Sequence, residues 1–186
     1  MRFTDDRYSG ERAQFQLAMR MIGHEARTHT IRECTGLSDD RIRKIYSTYF
    51  RNQGDGRVRR RRGKSPRQVQ RFIKSPAHRS QAMSLVSLFH AGRLVRVDID
   101  DGVHNCWPRP GVEVGHRLCR AYETYCMLHP QPLYNFEWAY SLYVNICVND
   151  ELVVYRCAAC DSHYIQDAYA LDSGLCPACE TGLIVH

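Results

Sequence analysis

The sequence predicts a mainly α-helical protein ending in a small zinc-ribbon-like module, and three observations predict it. Apolar residues recur at three-and-four spacing in successive stretches up to about residue 150, the period of a helix with one buried face. Two Cys-x2-Cys pairs follow in a short, strand-prone tail. The length, 186 residues with 44% hydrophobic and 25% charged, suits one compact domain or a domain plus a module, and needs no disulfides to hold a core. No run approaches the roughly 20 apolar residues of a membrane-spanning helix, and no apolar signal segment follows the charged N-terminus. No membrane association and a cytoplasmic location are therefore expected.

The first helix is expected over residues 11–27, where Leu17, Ala18, Met21, Ile22 and Ala26 share a face. Thr30 to Phe50 reads as two shorter helices around a turn. Asn52-Gln53-Gly54-Asp55-Gly56 is a turn cluster that opens a basic stretch. Ser75-Pro76 starts the next helix, since the first helical position has no use for the N–H that proline lacks. Ala82, Leu85, Val86 and Phe89 line its buried side, and Gly92 can cap its end. Leu94, Val95, Val97 and Ile99 suggest a short strand before Asp100-Asp101-Gly102. Val112 to Leu128 is helical and is stopped by Pro130; Asn135 to Val148 is another helix, with Phe136, Ala139, Leu142, Tyr143 and Ile146 in register. The expected organisation is a helical binding domain over residues 1–150 and a metal module over 151–186.

Cysteine usage carries the strongest chemical signal. Nine cysteines in a chain with no sign of secretion point to metal or buried thiols instead of disulfides. Cys157-Ala-Ala-Cys160 and Cys176-Pro-Ala-Cys179 are separated by fifteen residues, enough for a hairpin that brings one pair opposite the other. Four thiolates suit a single tetrahedral Zn2+, and a four-sulfur shell leaves no open position for water, so the ion is read as structural. An iron–sulfur cluster is the alternative metal. A zinc deaminase is excluded, because that chemistry wants H-x-E upstream and proline before the cysteine pair; here proline follows Cys176 and no H-x-E occurs. Cys34, Cys106, Cys119, Cys126 and Cys147 lack ligand spacing and read as small buried hydrophobes. His163, between the pairs, reads as a surface side chain.

Charge is concentrated. Arg57, Arg59, Arg60, Arg61, Arg62, Lys64, Arg67, Arg71, Lys74 and Arg79 fall in residues 57–79 with no acidic residue among them. The rest of the chain has 16 basic against 20 acidic residues, so this segment supplies the whole net charge of +6. Such a run must stay solvated or meet a polyanion. Mostly arginines, with forked guanidiniums suited to phosphate, it reads as a double-stranded DNA backbone contact centred on Arg57, Arg59, Arg60, Arg61, Arg62 and Lys64.

Just before it, residues 30–46 resemble a helix-turn-helix. Gly36 permits the left-handed turn, Leu37 can plug the inter-helix angle, and Ser38 can cap a second helix begun by Asp39 and Asp40. Ile42, Ile45, Tyr46 and Tyr49 would be buried, leaving Arg41, Arg43, Lys44 and Ser47 outward as candidates for the DNA groove.

In their order and spacing these pieces resemble the FlhC family, the C subunit of the bacterial flagellar master transcription activator. The resemblance runs from about Ala13 to Cys179. It rests on Gln16-Leu17-Ala18-Met19, on Thr35-Gly36-Leu37-Ser38 with the Arg-Ile-Arg-Lys-Ile-Tyr that ends at Tyr46, on Ala121-Tyr122 and Trp138-Ala139, and on the paired cysteine motifs. It implies a zinc-binding transcriptional activator that works with a smaller helical FlhD-type partner, expected as four D and two C chains. It further implies promoter recognition upstream of flagellar operons and recruitment of RNA polymerase. An enzyme is not expected, since the clustered carboxylates of a two-metal nuclease are missing. The rival reading is a zinc-ribbon adaptor whose basic loop binds RNA or an acidic protein.

Overall fold

The computed structural model describes residues 3–51, 58–59, 61, 68–98, 102–107, 109–149, 151–171 and 174–182. Among them are eight α-helices, one π-helical segment and two antiparallel two-stranded hairpins, so the protein is mainly helical as expected. Helix α1 (Phe3–Gly23) carries the predicted face: Leu17, Ala18, Met21 and Ile22 are buried. The helix stops before Ala26, whose burial comes from the corner that follows; there Glu25 adopts a left-handed φ of 59°.

Helices α2 (Thr28–Thr35) and α3 (Asp39–Tyr49) flank a three-residue turn. Gly36 takes a φ of 72°, its N–H donating to the Arg32 carbonyl, and Ser38 Oγ accepts from the Arg41 N–H at 3.3 Å. Leu37, Ile42 and Ile45 are buried, whereas Tyr49 is 47% exposed, in edge contact with the Phe15 ring. At the start of α2 a buried carboxylate does the capping that Arg27 cannot. Glu137, 1% exposed, accepts from the Arg27 N–H at 2.7 Å and the Thr30 hydroxyl at 3.2 Å. The Arg27 N–H is one of the orphan backbone donors of a helix N-terminus, which a carboxylate suits by charge as well, and the Thr30 hydroxyl adds a side-chain donor from the first turn.

The basic stretch is not all solvated. Helix α4 (Gln70–Ile73) lies inside it, with Phe72 fully buried, Arg71 stacked 4.9 Å above the Trp138 ring, and Arg79 Nε donating to the Ile73 carbonyl. Aromatic contact lets a guanidinium pack where an ammonium would not. Helix α5 (Pro76–Ala91) begins as expected, Ser75 Oγ accepting from the His78 N–H at 3.3 Å. At its end the left-handed residue is Arg93, φ 54°, and not Gly92.

Strand β1 (Val95–Asp98) pairs with β2 (Gly102–Asn105), which one apolar residue in four had not signalled. Helix α6 (Val112–Leu128) has its expected bounds, while α7 (Phe136–Val144) passes into a π-helical segment, Asn145–Asn149, where continued α-helix was expected. The tail forms β3 (Leu152–Arg156), β4 (His163–Asp167) and the short α8 (Pro177–Glu180). It does not stand apart from the helices. Leu152, Val154 and Ile165 belong to the main core, β4 packs on α4 and α5, and Gln70 Nε2 donates to Asp167 Oδ2 at 2.9 Å.

Helix α6 is the centre of this arrangement, touching α1 and α2 on one side and α5 and α7 on the other. Gly115 makes the approach possible, since a Cβ there would run into the Leu17 side chain and sit 3.1 Å from Cys34 Cβ. Further along, the Arg20 guanidinium grips both oxygens of Glu123, at 2.8 and 2.5 Å, and His24 Nε2 shares Oε1 at 2.8 Å.

Gly115→Ala should cost about 1–3 kcal/mol in urea unfolding despite the better helix propensity of alanine. The two interhelical carboxylates should pull stability in opposite directions with pH. Burial raises the Glu137 pKa above 4.5, so the folded state takes up a proton first, and stability rises as pH falls from that raised value toward 4.5. The Arg20 hydrogen bond lowers that of Glu123, so stability present above 4.5 is lost as pH falls through the depressed value. In urea midpoints measured against pH, Glu137→Gln should remove the upper gain and Glu123→Gln the lower loss.

Candidate metal centre and basic surface

The four cysteines singled out by spacing come together. The Sγ atoms of Cys157, Cys160, Cys176 and Cys179 all lie within 4.8 Å of one another. Four sulfurs at about 2.3 Å from one ion stand roughly 3.8 Å apart, and Cys160 and Cys176 are 3.6 Å apart. The donor set therefore fits one tetrahedral metal ion.

Local structure aims the sulfurs. Cys157 directly follows β3, and its N–H donates to the Ser162 carbonyl at 2.9 Å while its carbonyl accepts from Asp161. Asp161 closes that knuckle with a left-handed φ of 59°, its carboxylate 3.1 Å from Arg156. Cys176 is the N-cap of α8, Pro177 sets the first helical φ, and Cys179 lies on the helix. Cys157 and Cys176 are buried and the other two half-buried.

Hydrogen bonds already favour thiolate. The Cys176 N–H donates to Cys157 Sγ at 3.2 Å, which brings the Cys157 pKa down to about 6. The Ser162 hydroxyl, 2.6 Å from Cys160 Sγ, lowers that thiol too. Burial pushes the Cys179 thiol up, and its crowded sulfur neighbours push it further; only a cation allows four thiolates so close together. His163 is exposed and outside the sulfur cluster.

The remaining cysteines are free thiols. Cys34 and Cys119 are the expected buried hydrophobes, their pKa values pushed up to about 12 by burial. Cys126 and Cys147 are only half-buried, and Cys106 is exposed, contrary to that expectation.

The second candidate site joins two features that were separate in the sequence. Arg41, Arg43, Lys44 and Ser47 do face outward on α3. The acidic residues beside them are neutralised locally: Arg32 pairs with Asp39 at 3.1 Å and Arg43 with Asp40 at 2.7 Å, while Arg41 reaches Glu11 at 3.9 Å. These pairs are solvent-exposed and worth about 0–1 kcal/mol each, so a phosphate can displace them.

Among the described residues of the basic segment, Val58 and Arg59 lie against this unit. Val58 and Arg59 line a small crevice with Ile22, Ala26, Ile31, Ile42, Arg43 and Tyr46, and Tyr46 Oη donates to the Val58 carbonyl at 2.9 Å. Arg59 and Arg43 thus line the same crevice. The Arg61 guanidinium, expected to be open to a phosphate, is instead paired with Glu25 at 2.7 Å, because the corner after α1 thrusts that carboxylate toward it. Arg57, Arg60, Arg62 and Lys64 lie outside the described residues. Glu25 gave no signal in the sequence. Nor did Val58, since an isolated aliphatic residue in a charged run is ordinary.

No protein-family model matches the chain, nor does any curated protein. Among the described residues no helix is long and apolar enough to cross a membrane.

Metal analysis of the native protein should find one ion per chain. Cys157→Ser should lose it and expose amides at 157–162 and 174–182 to hydrogen exchange, with little loss of helicity, since Leu152, Val154 and Ile165 keep the hairpin in the helical core. A fully loaded Cys157→Ser protein would exclude the four-sulfur site.

Proposed function

We propose that this chain is a DNA-binding subunit of a transcription activator, similar to the FlhC family, with a structural Zn2+ held by Cys157, Cys160, Cys176 and Cys179. The observation that carries the reading is the seating of the arginine segment at Val58–Arg59 beside the outward basic face of α3. Two basic sets on neighbouring surfaces match the needs of a duplex: one element enters or follows a groove while the other holds a flanking phosphate.

In this reading the guanidiniums of Arg59, Arg60, Arg62 and Arg57, with Lys64, supply phosphate contacts and salt dependence. Arg41, Arg43 and Lys44 on α3 approach the groove. Zinc is the preferred ion because an all-thiolate tetrahedral shell suits it and asks for no redox chemistry. The closed shell favours a binding protein over an enzyme. A smaller helical partner of the FlhD type and RNA polymerase complete the activator by resemblance, and flagellar operons are the proposed targets.

The test is binding to a DNA duplex over a range of salt, with and without the partner subunit. Changing Arg59, Arg60, Arg61 and Arg62 to Gln should reduce the slope of log K against log salt by up to about 3, or 0.9 per phosphate contact. Footprinting should show a defined site only with the partner present. An unchanged slope rejects the phosphate contact, and preferential binding of single-stranded RNA favours the adaptor reading instead.

A further inference from the structure

The corner after α1 carries an unexplained expense. Glu25 sits at a φ of 59°, which a residue with a Cβ adopts reluctantly and where glycine would be at ease. Gly23 lies two residues earlier and does not take that position. What the left-handed turn achieves is to aim a carboxylate out of the α1–α2 corner, where it meets two donors of the arginine segment at once. Glu25 Oε1 accepts from the Arg59 N–H at 3.2 Å, and Oε2 is 2.7 Å from an Arg61 guanidinium nitrogen.

A second set of contacts reaches the same short segment from the other side. Tyr46, on α3, donates its hydroxyl to the Val58 carbonyl at 2.9 Å, and the Val58 side chain enters the crevice between α1, α2 and α3. Val58, Arg59 and Arg61 are therefore held by one residue from the corner and one from the outward-bearing helix. A chain of like charges would otherwise repel itself and spread into solvent, so its fixed course beside α3 needs an opposing charge. Glu25 supplies it.

We propose that Glu25 is a positioning residue that clasps the arginine segment onto the helix-turn-helix unit, so that Arg59 and the outward residues of α3 meet one duplex together. The inference rests on the phosphate-contact reading above and adds to it the device that makes one surface of two. Glu25 touches no phosphate itself; it pairs with Arg61 and holds the backbone of Arg59 at the crevice that Arg43 also lines.

Two variants that keep a Cβ at the left-handed corner, and so its backbone strain, separate the possibilities. Glu25→Gln retains an amide oxygen able to accept from the Arg59 N–H, whereas Glu25→Ala retains nothing. In the full chain, hydrogen exchange at the Arg59 amide should be slowed in the native protein, largely kept in Glu25→Gln, and lost in Glu25→Ala, with urea midpoints unchanged. Against a mixed-sequence DNA duplex, Glu25→Ala should lower the salt slope by about 1–2, one or two lost phosphate contacts, with Glu25→Gln close to native.

Unchanged Arg59 exchange in Glu25→Ala overturns the clasp whatever the DNA result. A steeper slope and tighter binding in Glu25→Ala would overturn it as well, by making Glu25 a competitor of the phosphate. Native protein with no salt-dependent DNA binding overturns the phosphate reading, and with it the role given to the clasp, even where the exchange data show the contact itself.

Discussion

The close passage of α6 over α1 and α2 is the constraint on which the rest of the molecule depends. At Gly115 the helix backbone comes so near Leu17 and Cys34 that no side chain fits between them. Interiors packed at this density transmit position faithfully. The bidentate Arg20–Glu123 pair, joined by His24, fixes the rotation of the same helices further along. Because α6 also packs on α5 and α7, this contact sets the relation between the helix-turn-helix end and the cysteine end. Glu137 extends the coupling: a carboxylate on α7 caps α2, so the turn unit is held by a helix more than a hundred residues away.

At the cysteine end, stability has two sources that act on different parts. Packing of Leu152, Val154 and Ile165 into the main core holds the β3–β4 hairpin. The knuckles beyond it have only a small cluster around Cys157, Tyr164 and Cys176, too little apolar surface to order two tight turns and a one-turn helix. Four converging sulfurs supply the missing interaction when a cation joins them. The tail is thus an extension of the helical body that ends in a sulfur cluster able to hold one metal ion.

On the opposite side, charge is managed at short range. Among the described residues, Asp39, Asp40 and Glu11 beside the outward face of α3 are each paired with an arginine, and Glu25 pairs with Arg61. The pairs on α3 are solvent-exposed and individually weak. The C-terminal part of the basic stretch serves the fold instead: Arg71 packs on Trp138, and Arg79 closes the turn between α4 and α5.

Much of this was readable in one dimension because it depends on local spacing. Helical faces such as Val114, Leu118, Ala121 and Tyr125, the Ser38 and Ser75 caps, the Gly36 turn and the four-cysteine set follow from periods and offsets within a few turns of chain. Strand β2, the π-helical end of α7, the burial of Phe72 inside a run of cations and the left-handed Glu25 do not. Strand β2 needs the edge of β1 to pair with, and the burial of Phe72 and the left-handed Glu25 exist because distant partners provide what the local sequence lacks: aromatic rings to lie against, or an arginine to meet. The sequence by itself determined most of the helical faces and which atoms can bind a metal. Only the tertiary structure decided that Val58 would meet α3 and that Arg61 would face Glu25, since burial and charge pairing between residues a dozen or more positions apart are properties of packing, not of pattern.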